Sequence, residues 1–174
     1  TAPGEAPVVE AEELSWMQIA PGSVVLDVRW KFRVLQGQLS ELSINADPRL
    51  QWIESSPNVV IADTTGSSQP RRVKLTDPCS DQTTVTGRFL LQESSGVGNP
   101  RMPQARIEGV RTTRRWFAVS VDRNLQCEIK NDQSLPSVAL PDFLSAWGKA
   151  DSPPLLVREL GLGQPNWSIL TRPW

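Results

Sequence analysis

The chain has 174 residues, with 18 lysines and arginines against 19 aspartates and glutamates, and it contains neither histidine nor tyrosine. That length holds one sizeable core plus a terminal strand or linker, and a net charge of -1 provides no global field for nucleic acid or an anionic membrane. Without histidine, Ser–His and Cys–His catalytic arrangements and histidine-containing zinc or iron sites are excluded, which leaves carboxylate, lysine and thiol chemistry.

Residues 1–13, rich in Ala, Pro and Glu, show neither strand nor helix periodicity and read as a linker or arm. The folded domain is expected over 14–150. From 23 to 44 apolar and charged residues alternate: Val24, Leu26, Val28, Trp30, Phe32 and Val34 fall on one face of a strand. Asp27, Arg29, Lys31 and Arg33 fall on the other, which reads as a solvated sheet surface. Gln36-Gly37-Gln38 then reads as a hairpin turn into an antiparallel partner carrying Leu39, Leu42 and Ile44.

Strand-sized runs follow at 50–53, 58–62, 72–76 and 84–92, where Gly87 marks a bulge or a close backbone approach. Three more are expected at 105–110, 115–121 and 125–129, with Asp122-Arg123-Asn124 as the tight turn between the last two. One helix of about two turns is expected over 141–147, ended by Gly148. Residues 151–174, with apolar runs at 155–160 and 167–170, read as extra edge strands or a linker into a next module.

The pattern predicts an all-β fold, a two-sheet antiparallel β-sandwich of immunoglobulin-like or jelly-roll-like type with one short helix near 141–147. A closed barrel is the rival architecture, since it buries alternate residues in the same way.

Candidate sites are few. Among seven tryptophans, Trp30 belongs to the core by its register with Val28 and Phe32, and Trp116 packs within its own strand. Trp16, Trp52, Trp147, Trp167 and Trp174 lie near element ends. Of these, Trp16, Trp52 and Trp147 are the candidate ligand contacts for a sugar, whose apolar face an exposed indole covers. Arg111, Arg114 and Arg115 beside Trp116 and Phe117 supply cations and rings, the ingredients of a nucleic-acid grip. No nucleic-acid-binding module frames them and the chain is acidic, with a pI of about 5.5, so they read as a solvated strand face or a docking surface for a neighbouring domain.

Asp63, Asp77 and Asp81 match no calcium-loop spacing, and turn formation accounts for them. Cys79 and Cys127 are too few for a Cys-only zinc site. They permit one disulfide, or two reduced core thiols. Asn166-Trp167-Ser168 satisfies the N-glycosylation pattern, which is short enough to arise by chance. No metal, cofactor or nucleic acid is expected, and no run reaches the ~18 apolar residues of a membrane span.

Ser15-Trp16, the long strand from Val24 to Val34, the turn into Leu39 and Ile44, the run 47–53, and Phe143-Leu144-Ser145-Ala146-Trp147 together resemble β-sandwich modules of large exported bacterial proteins of unknown function. The resemblance implies an exported, periplasmic or cell-surface location and protein partners, including neighbouring modules of the same chain. It assigns no site residue. A faint similarity between 16–21 and 167–173 suggests that a next module opens after Pro165, and a start at Thr1 reads as a processed form or an excised piece. The expected function is a non-catalytic structural or protein-interaction module. The alternatives are a polysaccharide-binding module using exposed tryptophans and a carboxylate-dependent hydrolase.

Overall fold

A computed structural model describes residues 6–61, 71–92, 94–99, 101–131, 134–161 and 167–174. Within them the chain forms strands β1 (Val8–Ala20), β2 (Ser23–Gln36), β3 (Leu39–Ala46), β4 (Leu50–Ser55), β5 (Val59–Ile61), β6 (Arg71–Cys79), β7 (Gln82–Leu91), β8 (Ala105–Glu108), β9 (Arg111–Val121) and β10 (Leu125–Lys130). Helix α1 (Leu140–Trp147), β11 (Leu156–Glu159) and β12 (Ser168–Pro173) complete it. Asp63 and Asn166 lie outside the described residues.

The strands build a six-stranded sheet in the order β11-β9-β1-β2-β7-β4, a four-stranded sheet in the order β5-β6-β3-β8, and a β10-β12 ribbon. The first two face each other across one core, so the fold is an all-β sandwich with one short helix. Neighbours pair antiparallel except β1 and β9, which run parallel.

β2 follows its sequence closely. Val24, Leu26, Val28, Trp30, Phe32 and Val34 all face the core, where Leu42, Ile44 and Val73 of the other sheet meet them. The 36–38 turn, however, is a corner between sheets rather than a hairpin. β2 pairs with β1 and β7, while β3 pairs with β6 and β8, and Gly37 at φ 81° lets the chain cross from one layer to the other.

The linker reading of 1–13 is corrected from Val8 onward. β1 is a central strand, paired along its length with β2 on one side and β9 on the other. Residues 13–17 are buried without a break, because the sandwich covers one face of β1 and α1 covers the other. A strand buried on both faces loses the alternation that identifies strands.

α1 lies on the outer face of the six-stranded sheet. Its Phe143 and Trp147 pack on Leu14, Trp16, Ala118 and Val157 to make a second, smaller core. Pro141 sits in its first turn, and Gly148, at φ 104°, closes it through an N–H bond to the Leu144 carbonyl. The helix covers part of the surface that reads as solvated in the sequence. Arg29 donates to the Trp147 carbonyl and Lys31 to the Ala146 carbonyl, so both cations bind the electron-rich C-terminal end of the helix.

β11 is an edge strand antiparallel to β9, and β12 pairs with β10. Gly87 marks a close approach by a ring rather than by backbone. A Cβ there would lie 3.1 Å from Trp52 Cζ2 and 3.1 Å from Phe89 Cε2, so the missing side chain is what seats the Trp52 indole.

Candidate functional site

A concavity of about 620 Å³ lies on the outer face of the six-stranded sheet. Strand alternation sets its floor: cross-strand neighbours Gln18 and Ser120, Trp16 and Asp27, and Asp27 and Arg88 share this face. One wall is the segment 54–57, the end of β4 and the turn after it, and the other runs from Trp147 through Ser152, from the end of α1 onward.

The charges on the floor are tied to one another. Arg88 grips Asp27 with Nε–Oδ1 at 2.7 Å and Nη2–Oδ2 at 3.2 Å, and Gln18 Nε2 donates to Asp27 Oδ2 at 2.9 Å. The hydrogen bond to Asp27 holds the Arg88 guanidinium above its ordinary pKa. Burial pulls Arg29 below its ordinary value, against the opposing field of Asp27. The carboxylates on the groove are thus Asp27, engaged by Arg88 and Gln18, and Glu54 and Asp151 on the two walls.

Two of the three candidate sugar-contact tryptophans border this groove, but neither offers a ring face. Trp147 is 6% exposed: Arg29 covers its ring at 4.3 Å from the centroid, and Phe143 stacks on it at 5.6 Å and 22°. Trp16 is 5% exposed, meets Phe143 and Trp147 edge-on, and gives its Nε1–H to Ser120 Oγ at 2.8 Å. Trp52 is half-buried against Phe89 and Trp30 across the sheet, on the core side. The expectation of exposed stacking rings is therefore corrected for Trp16 and Trp147, because α1 folds over the face on which sequence places them.

Trp167 is also buried, edge-on to Phe117, and Trp174 stands exposed. Trp116 is half-buried on the outer face of β9, under the Arg114 guanidinium at 4.2 Å. Cys79 and Cys127 are free thiols on different sheets, so the bridge between them is absent, and burial pushes the Cys127 thiol upward.

The arginine cluster proves to be half of an internal ladder. In the parallel β1–β9 pair Glu10 lies beside Arg111, Glu12 beside Arg114 and Glu13 beside Arg115, with ion-pair distances of 3.7, 3.7 and 2.9 Å. A bulge at Thr113, whose hydroxyl donates to the Ala11 carbonyl at 3.3 Å, brings the two spacings into step. Arg115 is not a surface residue at all. At 3% exposure it binds Glu13, the Gly161 carbonyl at 2.7 Å and Gln104 Oε1 at 2.9 Å. Burial raises the Glu13 carboxyl, with Arg115, Arg106 and the nearby Trp30 indole pulling the other way. The acids at 10, 12 and 13 and the arginines at 111, 114 and 115 differ in spacing by one residue, the one the Thr113 bulge absorbs, so equal spacing alone would not have found this pairing.

No protein-family model matches the chain, and no curated protein matches it in sequence. Solved structures similar to it include an M1 zinc metallopeptidase from Deinococcus radiodurans, at 10% identity and a TM-score of 0.48, covering 97% of this chain and 43% of that one. A mutant from the same organism bound to a Tyr-Ser-Ala substrate has 11% identity and a TM-score of 0.48, and a two-domain M1 zinc metallopeptidase mutant bound to L-tryptophan has 10% and 0.49. Each of these two covers 95% of this chain and 43% of its own length, so the present chain spans less than half of the proteins it resembles.

Proposed function

We propose that this chain is a non-catalytic β-sandwich module that serves a larger exported protein as a structural spacer or as a docking surface for protein partners. The observation that carries this reading is where the charges go. Glu10, Glu12 and Glu13 are matched by arginines along β9, Asp27 is held by Arg88 and Gln18, and Arg29 and Lys31 anchor α1. Charged groups engaged in this way hold strands in register and a helix in place. A general acid or base instead needs a proton-donating or proton-accepting atom free to face a substrate.

The polysaccharide alternative loses its physical basis at Trp16 and Trp147, whose rings are covered from both sides or met edge-on. The hydrolase alternative rests on Glu54 and Asp151 across the groove. Incubation with chromogenic glycosides, esters and peptides, together with a glycan array, tests all three readings. Neither turnover nor retained glycan is expected. Turnover that disappears in Glu54→Gln or Asp151→Asn would replace the module reading with the hydrolase, and glycan binding lost in Trp52→Ala would replace it with the sugar module.

A further inference from the structure

Strand register lays a strip of cations along the outer face of the six-stranded sheet, starting at Arg29 and Thr86 on the edge of the groove. The even-numbered residues of β2 fill the core, so Arg29, Lys31 and Arg33 follow one another on this outer face, about 6.7 Å apart. Toward β1 they meet acids: Glu10 stands between Arg33 and Arg111 of β9, and Glu12 between Lys31 and Arg114. Each acid pairs at 3.7 Å with its arginine on β9, so these two rows hold four cations to two acids. Toward β7 the neighbours are uncharged, with Gln82 beside Arg33, Thr84 beside Lys31 and Thr86 beside Arg29. Arg33, Gln82 and Thr84 are exposed. Arg29 and Lys31 each donate to an α1 carbonyl, which carries no formal charge and leaves the cation uncancelled. The strip ends at Asp27, the next residue of this face, which Arg88 neutralises.

A row of cations with hydroxyl and amide donors alongside is complementary to an anion. The excess is local, because the whole chain carries a net charge of -1. The repeat of the strip selects the form of that anion. An extended polypeptide presents alternate side chains to one side at the same spacing of about 6.7 Å. Carboxylates at every second residue therefore meet Arg29, Lys31 and Arg33 one for one, and Gln82, Thr84 and Thr86 are placed to donate to the remaining carboxylate oxygens. The residues beside Lys31 and Arg33 in register, Glu10, Glu12, Gln82 and Thr84, include no ring on which a base or a sugar could stack.

We infer that this strip docks an extended acidic segment of a partner protein, with carboxylates at alternate residues lying along β2. The inference rests on the docking-surface reading above and gives it a place and a partner chemistry. Fluorescence anisotropy with a labelled peptide of alternating Glu and Ser tests it, beside an isomer carrying the same residues in two blocks, a heparin oligosaccharide and a single-stranded oligonucleotide. Arg33→Glu and Thr84→Glu are compared with Arg72→Glu, which changes the net charge as Arg33→Glu does, at a side chain 76% exposed on β6 of the other sheet. The alternating peptide is expected to bind more tightly than its isomer, at least about tenfold more weakly in Arg33→Glu and Thr84→Glu, and within about twofold of the original in Arg72→Glu. No binding of the alternating peptide, equal binding of the isomer, an equal loss in Arg72→Glu, or tighter binding of the heparin or the oligonucleotide would overturn the inference. The module reading fails on other measurements, turnover lost in Glu54→Gln or Asp151→Asn or glycan lost in Trp52→Ala, so the two failures are distinguishable. All three substituted positions are exposed, and circular dichroism of each variant verifies that the fold is intact.

Discussion

At the scale of single residues, the Glu13–Arg115 pair is the most consequential interaction in the molecule. Both side chains are inside the sandwich, and Arg115 reaches three separate segments: β1 through Glu13, the approach to β8 through Gln104, and the end of β11 through Gly161. Removing one partner leaves the other charge in a low-dielectric interior, which costs about 3–5 kcal/mol. Replacing both by apolar side chains of similar volume removes that penalty. Glu13→Leu is therefore expected to lower the urea-denaturation free energy by roughly that amount, and Glu13→Leu combined with Arg115→Met to recover most of it. Equal losses in the single and double variants would show that the pair is not coupled. The two neighbouring pairs behave differently: Arg111 and Arg114 are 80% and 40% exposed at their side chains and sit 3.7 Å from their acids, so their removal falls within about 1 kcal/mol. Sequence reveals the residue types but not this difference, because the Thr113 bulge resets which face each later residue takes, turning Arg114 outward and Arg115 inward.

Among elements, helix α1 depends on the sheet more than on its own sequence. Eight residues are too few for a helix to persist unaided, and its N-cap, Ala139, makes no side-chain cap bond. Phe143 and Trp147 supply the apolar contact, while Arg29 and Lys31 hold the carbonyls at its C-terminal end. Arg29 also lies over the Trp147 ring, adding a cation–π contact to the dipole interaction. Arg29→Met is expected to destabilise the docked helix by about 1–2 kcal/mol, read as roughly tenfold faster amide exchange over 140–148 with β2 protection unchanged. Exchange that rises uniformly over β2 as well would mean that Arg29 supports the whole sheet. The helix itself was legible from Pro141, the apolar spacing of Phe143 and Trp147, and Gly148. Its docking site was not, because charged side chains at alternate positions look the same whether they face water or a helix terminus. β3 shows the complementary failure: Gly37 signals a turn, yet a hairpin and an inter-sheet corner use the same residue for the same positive φ.

For the molecule as a whole, the decisive connection is between segments far apart in sequence. β1 pairs along its length with β9, so residues about a hundred positions apart, such as Glu13 and Arg115, lie side by side in the middle of the sheet. Strands that join distant segments cannot form independently of the rest, so the sandwich should unfold as one cooperative unit. The part of β1 that sequence marks as dispensable, residues 8–13, carries all three acids of the ladder, and Val9 and Ala11 belong to the main core. That stretch was illegible because acid-rich, alanine-containing segments match a solvated arm, and the arginines that neutralise them lie far along the chain. The two readings diverge sharply on deletion. If residues 6–13 were an arm, their removal would leave the melting transition where it was. As the start of a central strand, their loss strips Arg115 of its buried partner and exposes the flanks of β2 and β9 together. The expected outcome is a chain without a cooperative thermal transition and without dispersed amide resonances. Retention of both would remove β1 from the centre of the fold.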